Sequence, residues 1–289
     1  MGWRKLFGMD HSVEPASPTK PAGTRFAIDR ERMFNLDLTS RLHQLFAVPR
    51  DLRDAEWTTG FFVSVWNPSL EIADLPFFEG PDGFIYGRFH MPRPGTSFDG
   101  NALANQAMLL VERGCGAAIF AARDATEPEY VLPMGVIDSL LRFDGWDGDP
   151  LDRKDPTRAA DPVFVAAGAD PRRLVATRDH EVRIGAPSAA ILPPYTARAL
   201  HHHLTRGWGI ADPRIALLVD PSAATPRSLM LDRRPQDFPD AARIEPQVRM
   251  LFWYLPPHTS VVLRPDTVDP DQMTPLRTLF PAVQPGAAS

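Results

Sequence analysis

The chain has 289 residues, a formal charge of −5 and a pI near 5.9, with its basic residues scattered among acidic ones, which excludes the positive stripe a nucleic-acid binder needs. Apolar content of 44% and charged content of 23% are ordinary for globular proteins, so a normal core can be buried and the length suggests two compact units with tails. A single cysteine, Cys115, excludes an internal disulfide and a multi-cysteine zinc site and fits a reducing compartment.

The 31 prolines favour many short elements over long helices. The start, MGWRKLFGMDHSVEP, has no apolar run of signal-peptide length, and no later segment approaches the ~18 apolar residues of a spanning helix, so a cytoplasmic protein is expected. Trp3, Leu6 and Phe7 opposed by Arg4 and Lys5 raise a membrane-surface reading. That segment is too short to form much helix alone, and a proline-broken stretch follows, so residues 1–25 read as a disordered leader.

A first domain is expected over 26–145. Phe34, Leu38, Leu42, Leu45 and Phe46 recur at helical spacing before Pro49; His43 among them has no ligand partner at i+4 and reads as a packed or surface histidine. TTGFFVSVW (Thr58 to Trp66) and GFIYGRFHMP (Gly83 to Pro92) are rich in β-branched and aromatic residues and read as two strands. Alternation puts Tyr86, Arg88 and His90 on one face of the second, where they either line a pocket or form a solvated sheet face.

DGNALANQAMLLVERGCG reads as a helix with Leu103, Ala107, Leu110 and Val111 on its inner stripe and Gly114 as a left-handed cap. GAAIFA is a buried strand, and YVLPMGVIDSLLRF a short strand and a helix. Cys115 follows a helix C-terminus, whose partial negative charge raises a thiol's pKa, so it reads as a small buried residue.

Residues 146–177, dense in Pro, Asp and Arg, read as a linker. Asp144, Asp147, Asp149 and Asp152 invite comparison with a calcium loop, but no start gives oxygen ligands at positions 1, 3 and 5 with glycine at 6, and a solvated acidic turn is expected.

A second domain is expected over 178–281, in the order strand, helix, strand, strand, helix, strand, followed by a disordered tail over 282–289. The fold class is α+β, with short helices packed on small mixed sheets. In LHHHLTRGWG, successive helical residues turn by ~100°, so His201, His202 and His203 fan apart and cannot converge on one ion. Metal-binding helices use i, i+4 pairs, and those positions hold Thr205, Arg206 and Gly207. No metal and no cofactor is expected. In PQVRMLFWYLPP, Val248, Leu251, Phe252 and Leu255 make the core stripe; Arg249, Trp253 and Tyr254 are candidate interaction anchors, with additional core packing the competing reading for the aromatics.

The run VRIGAPSAAILPPYTARAL, the strand pair IALLVD and RSLMLD, and a helix and last strand around LPP resemble the C-terminal domain of the bacterial enhanced serine sensitivity proteins. The likeness spans Asp179 to Pro265; the first domain is loosely similar through its helix, the strand at Gly116 and YVLPMGVIDSL. The resemblance implies a cytoplasmic bacterial α+β protein of non-enzymatic role and carries over no catalytic residue.

No GxGxxG, P-loop, GxSxG, HExxH or kinase signature occurs. Ser188, with no glycine two residues on, reads as a turn or helix-cap residue. No residue is nominated as catalytic. The expected function is binding or regulation through an unidentified protein partner. Two alternatives stand beside it: a hydrolase or other enzyme whose pocket, around Arg88, His90 and a carboxylate such as Asp99, makes no motif; and an immunity or chaperone partner of a secreted toxin.

Overall fold

A computed structural model describes residues 35–152, 164–167, 170–176, 182–221 and 223–281. The expected leader and tail lie outside these residues, as do 153–163 of the expected linker. The chain forms two compact units. The first takes in the described residues to Leu110, then Cys115–Pro133 and Leu140–Gly145; the second takes in Val111–Gly114, Met134–Ser139 and the described residues from Trp146 onward. Helices and mixed sheets are both present, and the fold is α+β. Among the described residues no helix is long and apolar enough to cross a membrane.

In the first unit, helices α1 (Leu36–Phe46) and α2 (Ala55–Val65) precede strands β1 (Leu70–Glu79), β2 (Ile85–His90) and β3 (Gly100–Asn101), helix α3 (Leu103–Glu112), and strands β4 (Gly116–Phe120) and β5 (Tyr130–Leu132). The sheet order is β3-β1-β2-β4-β5, parallel between β2 and β4 and antiparallel elsewhere. The stripe of α3 is buried as its spacing requires, and Gly114 has φ +70°. Gly87 lets α3 close on the sheet, since a Cβ there would lie 2.6 Å from Leu110 Cδ2.

The segment expected as a strand over Thr58 to Trp66 is instead α2. Asp54 caps it, its side chain accepting from the Trp57 N–H at 2.8 Å, and Trp57, Phe61, Phe62 and Val65 recur at helical spacing and are all buried. Ser64 and the threonines donate their hydroxyls to carbonyls one turn back, for example Thr58 Oγ1 to Asp54 O at 2.9 Å, so β-branched character is accommodated within the helix. The strand that pairs with β2 is β1, inside the long segment after Trp66. It carries Pro76 where the register slips between Ile72 and Phe77, so the missing N–H falls at an irregularity of the ladder.

Helix α4 (Met134–Phe143) contributes its first half to the second unit. In the stretch expected as a linker, β6 (Phe164–Ala167) and β7 (Asp170–Ala176) pair antiparallel. Then follow β8 (Arg183–Gly185), α5 (Pro194–Gly207), β9 (Arg214–Val219), β10 (Arg227–Leu231), α6 (Ile244–Leu251), β11 (Ser260–Leu263) and β12 (Thr274–Pro275). β10 lies antiparallel to β9 and parallel to β11; β8 and β12 share the other edge of β9, against its end and its start respectively. Ala216, Leu218, Met230, Val268 and Met273 make one core cluster here, and Ala197, Leu200 and Leu204 are the buried stripe of α5.

Candidate functional site

Alternation along β2 brings Tyr86, Arg88 and His90 to one sheet face, with Phe78 of β1 opposite Tyr86 and Phe120 of β4 opposite His90. A solvated face does not describe it. Tyr86 and His90 are buried; the Tyr86 hydroxyl donates to Asp82 Oδ2 at 2.6 Å, and the His90 ring sits 5.7 Å from that of Phe120. The Arg88 guanidinium carbon is 5.1 Å from the Phe78 ring centre and 4.4 Å from that of Phe120, so aromatic rings hold the cation by cation–π attraction. Its Nε is buried with no hydrogen-bond partner. At the border of this face Arg123 Nε donates to Glu71 Oε2 at 3.1 Å, while the exposed Asp99 forms no ion pair with Arg88. Phe78 and Phe120 were not candidates on sequence, because nothing local marks a ring that stacks on an arginine from another strand.

The three histidines of α5 point apart, as their spacing requires. His201 meets the Phe280 ring at 5.5 Å and His202 is exposed. His203 packs on Tyr254 and Trp208, with its Nδ1 3.2 Å from the Tyr254 hydroxyl. Burial, and secondarily the charge of His202, holds its pKa below the usual histidine value. Among the described residues no group of three or more His, Cys, Asp or Glu side chains could hold a metal ion.

Of the candidate anchors near α6, Trp253 and Tyr254 are buried, at 6% and 8% exposure, which is the core-packing alternative rather than an exposed surface. The physical reason is a change of winding. The α-helix stops at Leu251, and the N–H groups of Phe252, Trp253 and Tyr254 bond three residues back, to Arg249, Met250 and Leu251, which rotates both aromatics inward. Arg249 remains outside, its side chain 59% exposed and paired with Glu245 one turn earlier; Met250 beside it is 41% exposed.

Of the four aspartates of the acidic stretch, Asp144 is exposed at the C-cap of α4, whereas two are held by an arginine rather than left in a solvated turn. Asp149 Oδ2 and Asp152 Oδ1 accept from Arg227 Nη2 and Nε, both at 2.8 Å, in a largely buried fork. Cys115 is buried, His43 Nε2 lies 3.0 Å from the Pro92 carbonyl, and the Ser188 carbonyl accepts from Ile191 and Leu192 in a turn. One polar pair has no sequence signal at all: half-buried Tyr195 at the start of α5 donates to fully buried Asp138 of α4 at 2.5 Å, and the two are far apart in the chain.

Comparison with family models, curated proteins and solved structures found no match. Fold and site together define an α+β protein with an aromatic-flanked arginine on its first sheet and an exposed arginine–methionine surface on α6.

Proposed function

We propose that the chain is a cytoplasmic bacterial protein that acts by binding a protein partner, in a regulatory rather than catalytic role, consistent with its resemblance to the enhanced serine sensitivity family. The observation that supports this most is the outer surface of α6, where Met250 and Arg249 stand side by side in solvent although Leu251 of the same helix is fully buried. Arginine and methionine are enriched in interface patches, and the exposed Glu245 pair contributes little to stability, so Arg249 is available to a partner at small cost.

The test is affinity capture of the tagged chain from its native lysate beside an Arg249→Glu, Met250→Asp double variant whose thermal midpoint matches the parent. Loss of a stoichiometric partner in the variant is the expected result. Equal capture by both chains, or none by the parent, overturns the proposal.

A further inference from the structure

We propose that Arg88 anchors a binding site for a small monocarboxylate on the first sheet. This is independent of the partner surface on α6. Among the described residues Arg88 forms no hydrogen bond and no ion pair; its contacts are the rings of Phe78 and Phe120. A cationic N–H buried without an acceptor is costly, and an apolar side chain packed beside the same two phenyl rings, which meet edge-on with centres 5.9 Å apart, would avoid that cost. The two rings contact the guanidinium carbon, 5.1 and 4.4 Å from their centres. The donor-bearing edge of the guanidinium is left over, and that edge matches the two oxygens of a carboxylate in a fork. Arg88 is only half-buried, so a small ligand can reach it.

The charges bordering this face select the class of anion. Among the described residues, Asp82 accepts from the Tyr86 hydroxyl at 2.6 Å and Glu71 from Arg123 at 3.1 Å, and neither pairs with Arg88. Arg123 is likewise committed to Glu71. Arg88 therefore offers one unpaired positive charge, which matches a singly charged carboxylate better than a phosphate dianion. Buried His90, 5.7 Å from Phe120, closes the same aromatic wall.

The experiment is a titration of the full chain with sodium acetate, and separately with inorganic phosphate, at constant ionic strength. It follows the Arg88 Nε–Hε resonance, assigned through its proximity to the Phe78 and Phe120 rings. The expected result is a saturating shift with acetate, with a dissociation constant on the order of millimolar. Arg88→Lys, which keeps the charge but loses the fork, should bind at least ~10-fold more weakly by calorimetry. A shift that stays linear and matches that of the other arginines, tighter saturation by phosphate than by acetate, or undiminished binding by a folded Arg88→Lys chain would each overturn the proposal. The parent titration decides by itself should the lysine variant fail to fold.

Discussion

Gly135 of α4 lies directly against the backbone of Leu255. Its N–H donates to the Trp253 carbonyl at 2.9 Å, and a Cβ at this position would stand 1.9 Å from the Leu255 carbonyl oxygen. A backbone oxygen cannot swing aside as a side chain can, so Gly135→Ala must separate the helix from the 253–257 segment. We expect a loss of at least about 2 kcal/mol in denaturant unfolding. Gly60 is the contrast: inside α2, its added Cβ would meet Leu45 at an ordinary 3.5 Å, so Gly60→Ala should raise stability by about 0.5–1 kcal/mol.

The Tyr195 hydroxyl donates to a fully buried carboxylate, Asp138. Tyr195→Phe keeps the ring and removes one donor from that carboxylate. The predicted loss is about 1–3 kcal/mol, measured by chemical denaturation; an unchanged unfolding midpoint would show that the pair is neutral to stability.

Tyr130 sits 4.1 Å from the Phe61 ring and near Phe62 and Trp57. Burial pushes its phenol up to about 12, against a smaller lowering by the Arg53 charge. Because the folded value is raised above the ordinary 10.0, its contribution to stability is complete below pH 10 and is lost as the pH climbs toward about 12. Ultraviolet titration should show a late tyrosinate step that Tyr130→Phe removes, and the difference in stability between parent and variant should narrow over the same interval.

For His203 the sign is opposite. Its folded pKa is held below 6.5 by burial and by His202, so the folded state favours the neutral ring while the unfolded chain protonates first. Its contribution is present above pH 6.5 and is lost as the pH falls from there toward the folded value. Thermal melts on either side of pH 6.5 should show a decline on acidification that is smaller in His203→Gln.

The helical elements legible in the sequence share one property: their signals are local. The stripe of α3 with Gly114 after it, and the proline-initiated α5 with Ala197, Leu200 and Leu204, each declare both period and ends within a few residues. The α2 segment carries the same kind of signal, Asp54 followed by Trp57, Phe61, Phe62 and Val65, but the density of aromatic and β-branched residues argued more loudly for a strand. The strand itself, β1, was hidden by Pro76, which the ladder tolerates because the register slips there.

The α+β class, the fanning of the three histidines and the buried stripes are legible in the chain before folding, because 3.6-residue periodicity, capping and β-alternation are written in near neighbours. Which polar groups meet depends on how remote segments pack. The Arg227 fork draws on Asp149 and Asp152, the Arg88 clamp needs rings from β1 and β4, and the inward turn of Trp253 and Tyr254 follows from a switch to three-residue winding after Leu251. Each arises where distant segments come together or where packing changes the winding of the chain, and neither event leaves a local pattern to read.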